Sequence, residues 1–141
     1  MTALQSILEE EVGALRAVLL TLEDEHAALL ARTPDGLQAA SQAKAAAVAR
    51  ALGLEQQRQE FSGKDAGEAG DATAFLCAEL RNLAAECRTR NDRNGLLING
   101  QRRRVEASLN VLRGRAAVPD VYGRDGTGTF ERRPGTPLAS Y

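Results

Sequence analysis

Leu4, Leu8, Leu15, Val18, Leu22 and Leu29 recur at intervals of three and four residues, or their multiples. That period follows the 3.6 residues of an α-helical turn and gathers the side chains on one stripe, whereas a half-buried strand would alternate by two. Glu11 and Glu25 stand in the stripe as polar exceptions. Ile7, Val12, Leu19 and Leu30 widen it into a face broad enough for two partner helices. Thr2 is placed to cap this helix, and Glu9, Glu10 and Glu11 come early, where a helix dipole favours acids. Thr33-Pro34-Asp35-Gly36 then stops the helix and turns the chain.

A second helix is predicted over residues 35–61, with a small-residue stripe of Leu37, Ala40, Ala43, Ala47, Val48, Ala51, Leu52 and Leu54. Such a helix packs closely but buries little area per turn. Residues 62–70 hold three glycines in nine positions and no periodicity, which reads as a linker. The leucine register returns in Leu76, Leu80, Leu83, Cys87, Leu97, Val105 and Leu112. A continuous helix over 71–113 would be roughly 65 Å long at 1.5 Å per residue. Beyond Gly114 the chain carries three of its four prolines, several glycines and no stripe. The expected fold is therefore all-α: an elongated antiparallel helical bundle over residues 1–114, with helices at about 2–32, 35–61 and 71–113. A flexible tail is expected over 115–141.

Composition agrees with this class. Aromatic residues make up 4% of the chain and tryptophan is absent, a poor palette for a β-sandwich. No stretch approaches the roughly 20 apolar residues that span a bilayer, so direct membrane insertion is not expected. The first residues lack the basic start and apolar run of a secretory signal, which with two unpaired cysteines suggests a cytoplasmic protein. Residues 1–70 carry 6 basic and 11 acidic side chains, and residues 71–141 carry 12 and 8. With acids interspersed among the arginines, few aromatics and no zinc spacing, no nucleic-acid partner is expected. An acidic helix against a basic one explains the asymmetry more simply. Cys77 and Cys87 on one helix would lie roughly 15 Å apart, too far for a disulfide. His26 has no second histidine or cysteine nearby, and no metal or other cofactor is implied. Nothing resembles a catalytic constellation or a phosphate-binding glycine loop, so the chain is not expected to be an enzyme.

NDRNGLLING, residues 91–100, disturbs the third helix. The register puts Asn91, Asn94 and Gln101 on its seam, flanked by Leu97. A buried amide would fix register and partner choice, and Gly95 would let another backbone approach. Each interior glycine costs about 0.5–1 kcal/mol relative to alanine, so the pair requires a reason.

Asn91, Asn94, Gly95, Leu97 and Ile98, then Leu109-Asn110-Val111-Leu112-Arg113-Gly114, then Tyr122-Gly123-Arg124-Asp125-Gly126 resemble the FlgN-type flagellar export chaperones. In that family N-x-x-N-G-x-L-I, L-x-x-L-x-G and Y-G-x-x-G elements occur in this order. The resemblance implies a cytoplasmic, non-enzymatic chaperone of the flagellar type III export system. It would hold hook-associated (hook–filament junction) proteins as cargo, prevent their premature association and deliver them to the cytoplasmic domain of the export gate. The C-terminal part would bind cargo, with Leu97, Ile98, Val105, Leu109 and Leu112 as candidate contacts. Tyr122, with Gly123 and Gly126, would dock at the gate; the other reading of Tyr122 is a ring folded back on the bundle. A generic coiled-coil adaptor or structural self-association protein is the alternative, and the stripes also allow a homodimer.

Overall fold

Thr2 opens the first helix with a reciprocal cap: its side-chain oxygen accepts the Gln5 backbone N–H, and its own N–H is bound by the Gln5 side chain. The computed structural model describes residues 2–62 and 70–114, and these form three α-helices, α1 (Ala3–Ala31), α2 (Pro34–Ser62) and α3 (Asp71–Leu112). Because α1 begins at Ala3, Glu9, Glu10 and Glu11 lie beyond its first turn and outside the reach of the terminal dipole. The turn after α1 is also tighter than the sequence suggests. Arg32 adopts the left-handed conformation (φ 55°), Pro34 is already helical, and Asp35 and Gly36 lie inside α2. Proline suits the first helical position, where its missing N–H would have had no helical partner.

The chain divides into two units, Met1–Asn99 and Gly100–Tyr141. In the first, α1 is the shared element, buried on two flanks. Ala14, Val18 and Leu22 pack against Ala51 and Leu54 of α2, and Leu8 and Val12 pack against Leu80 of α3. The breadth of the α1 stripe is thus used by two different helices. α2 contributes little, burying only Ala40, Ala51 and Leu54. In the second unit the described residues carry α3 to its end. Gly114, at φ 76°, donates its N–H to the Val111 carbonyl at 3.0 Å. Glycine takes this left-handed geometry without a Cβ clash, so the L-x-x-L-x-G element is here a helix stop.

Helix direction follows from the polar pairs. Glu11 meets Arg58 at 2.7 Å and Glu25 meets Lys44 at 2.8 Å, so advancing along α1 retreats along α2. The contacts of α1 with α3 hold a constant offset: Cys87 faces the Leu15 carbonyl and Asn94 the Leu22 carbonyl, each 72 residues on. These two helices are parallel in the first unit. Both buried carboxylates, Glu11 and Glu25, find their cations on α2, inside the acidic half of the sequence. Of the arginine-rich half, Arg90 meets Glu23 at 2.9 Å, while Arg16 of α1 reverses the pattern by pairing with Glu79. The charge asymmetry therefore does not translate into one acidic helix against one basic helix.

Removing Lys44 should expose how much depends on the Glu25 pair. Lys44→Met leaves a buried carboxylate without its cation and should cost about 3 kcal/mol in urea denaturation. Adding Glu25→Leu to that variant should recover most of the loss, since the charge requiring a partner is gone.

Candidate partner-binding site

Asn91 to Gly100 is helical throughout. Asn94 has no exposed surface. Its amide nitrogen donates to the Leu22 carbonyl at 2.9 Å and to Glu25 Oε1 at 3.0 Å. With that nitrogen donating, Asn94 Oδ1 is the acceptor for His26 Nδ1 at 3.2 Å, which fixes Nδ1 as the protonated ring nitrogen. Lys44 Nζ bonds both Glu25 and, at 3.2 Å, the Asn91 side-chain oxygen, while Ser41 adds a bond to Glu25 at 3.4 Å. The two asparagines thus belong to one polar hub that ties α1, α2 and α3 together. Every polar atom it buries has a partner among the described residues.

The glycines of the same stretch are not explained by packing. A Cβ built on Gly95 or Gly100 meets nothing within 4 Å among the described residues, so the close backbone approach expected at Gly95 is absent.

α3 carries all five residues expected to hold cargo. Leu97 is half-buried and Ile98 exposed in the first unit. In the second, Val105, Leu109 and Leu112 are 58%, 40% and 81% exposed. Spacings of four and three put these three on one helix face. They form a contiguous exposed aliphatic patch within two turns, unlike apolar side chains scattered singly over a surface. Tyr122, Gly123 and Gly126 lie outside the described residues.

A second apolar surface escaped the sequence reading. Within the first unit, α2 and α3 flank an open cleft of about 350 Å³. Leu15 and Val18 of α1 form its floor, Val48 and Leu52 line the α2 side, and Ala84 and Cys87 line the α3 side. The salt-bridged Glu11 and Arg58 close one end, and the hydrogen bond from Arg58 to Glu11 holds the guanidinium above its ordinary pKa. Burial pushes the Cys87 thiol up in pKa, with Glu86 adding to the effect. The signal was present in the sequence: Val48 and Leu52 follow Ala47 and Ala51, a residue off the line that packs on α1.

The family model described as FlgN protein matches residues 1–129. The chain belongs to the FlgN family. Among relatives, the flagella synthesis protein FlgN of Salmonella typhimurium (strain LT2) is 29% identical over 147 aligned residues, with 99% of each chain covered. The protein of the same name from Salmonella typhi is 29% identical over the same span. No solved structure matches the chain. The FlgN family consists of flagellar export chaperones. Among the described residues, no three metal-ligating side chains cluster and no helix is long and apolar enough to cross a membrane.

Two measurements test the geometry of α3. Gly95→Ala should raise stability by about 0.5–1 kcal/mol, because the new methyl meets no neighbour and the helix loses its conformational penalty; calorimetry reads this directly. In a Cys77→Ser background, Cys87 should be alkylated more slowly by iodoacetamide at pH 8 than a free thiol, since less thiolate is present. Denaturant should abolish the difference.

Proposed function

We propose that this chain binds hook–filament junction proteins in the cytoplasm before assembly, keeps them apart and delivers them to the flagellar export gate. The observation that carries the reading is the exposed face of Val105, Leu109 and Leu112. A helix that ends in open aliphatic residues offers its stripe to a guest helix, the helix-in-groove mode of recognition. Leu97 and Ile98 are proposed as further cargo contacts from the first unit. Junction proteins with terminal segments that pair as helical coiled coils present a matching apolar face. Covering that face before assembly would prevent premature association. Tyr122, Gly123 and Gly126 are proposed as the gate-docking element: one large rigid ring with a polar tip, in a glycine-flanked segment, enters a pocket at modest entropic cost.

Calorimetric titration with the terminal coiled-coil segments of junction proteins tests the cargo role. Leu109→Asp should weaken binding at least about tenfold, or roughly 1.4 kcal/mol, with an unchanged circular dichroism spectrum because the residue is exposed. No complex at micromolar concentration with the unaltered chain would overturn the reading. Tyr122→Ala should leave cargo affinity unchanged and weaken association with the cytoplasmic domain of the gate. Loss of cargo binding with gate association intact would reverse the assignment.

A further inference from the structure

We propose that the cleft between α2 and α3 is a second seat on this chaperone, which takes an amphipathic helix of the cargo bearing an acidic residue beside its aliphatic stripe. This rests on the cargo reading above and adds a site to it.

The floor and walls set the size of the guest. Leu15 and Val18 lie at the bottom, with Val48 and Leu52 on one side and Ala84 and Cys87 on the other. Val48 and Leu52 are exposed, at 38% and 58%. The α3 side runs from Leu80 to Cys87, about 10 Å at the helical rise. That length accommodates two turns of a guest helix, or three apolar side chains at i, i+3 or i+4, and i+7. Two helices flanking an apolar floor on α1 resemble a four-helix bundle with one position unfilled.

Charge selects among guests. Glu11 is satisfied by Arg58, so that pair offers no net charge. On the α3 wall Arg81 is exposed and makes no ion pair among the described residues, while Glu55 puts an acid on the α2 side, so the two walls carry opposite charge. A guest with an acidic flank on the α3 side meets complementary charge there. A second copy of this chain would offer the aliphatic end of α3, but Arg102, Arg103, Arg104 and Arg113 accompany that stripe. Those arginines outnumber the single acid Glu106 of that stretch, so placing it against Arg81 opposes like charges and favours a foreign helix over a second copy.

The test uses the full chain with Cys77→Ser and a junction-protein terminal segment as the probe, reading both affinity and the alkylation rate of Cys87. The expected result is slower alkylation on saturation, with Leu52→Glu weakening binding about tenfold through loss of an apolar contact. Arg81→Glu should weaken binding about threefold, and exchanging the guest's acidic residue for lysine should restore it. Both substitutions fall on exposed side chains, and circular dichroism checks that the helices remain. If the segment binds and Leu109→Asp weakens it, yet Cys87 reacts at the same rate and both cleft variants bind normally, the second seat is wrong and the cargo reading stands. If the segment does not bind the unaltered chain, both fall. Protection of Cys87 that rises with protein concentration alone would identify a second copy as the occupant and overturn the proposal. Protection without cargo that disappears on removing residues 115–141 would identify the chain's own end, and would overturn it equally.

Discussion

A carboxylate with 1% of its surface exposed sits where all three helices of the first unit meet, and it must be neutralised there. Isolated burial of a charge is far more costly than the few kcal/mol that separate folded from unfolded chains. Glu25 is therefore compatible with only those packings that bring Lys44, Ser41 and Asn94 to it together. Leucine stripes alone would tolerate a slip by one heptad, because one aliphatic ridge fits much like the next. A charged hub does not allow that slip. It trades some stability for a single register between α1, α2 and α3, as buried polar residues do in coiled coils.

The same hub separates two roles on α3. Up to Asn94, the residues that face inward serve the chain's own core. Past it, the aliphatic residues of the second unit are exposed, and Gly114 ends the helix in a left-handed turn. Internal cohesion and the exposed aliphatic face thus occupy different stretches of one helix, so the partner proposed for the latter would not compete for the core. The cleft differs in kind, because its floor belongs to the same α1 residues that hold the bundle together.

Much of this was legible from side-chain spacing. The leucine period identified α1 and α3, and the breadth of the α1 stripe indicated two neighbours, because hydrophobic periodicity reports directly which faces are buried. Asn94 was recognisable as a seam residue, but its partners were not. They lie 68 to 72 residues away, on a helix whose rotational setting no local pattern encodes. Gly95 misled for a related reason: glycine in a helix signals close approach only when something is there to approach, and among the described residues nothing is. The cleft was missed because Val48 and Leu52 were assigned to the α2 stripe, although they sit at its edge. Edges between two helices become visible only when the helices are placed. The ordered motifs pointed to what periodicity could not, the family to which the chain belongs.

The two-residue link between α1 and α2 has a bearing on how the chain acquires its shape. Arg32 and Thr33 bring antiparallel helices together almost without loop, so their contacts close over short stretches of chain at little entropic expense. Contacts between α1 and α3 span 63 to 72 residues and must wait until α3 is being made. Local pairings form fastest, so the α1–α2 hairpin can assemble on the ribosome while its third member is still being made. The stretch proposed to meet cargo is then synthesised after that hairpin, onto a scaffold already standing.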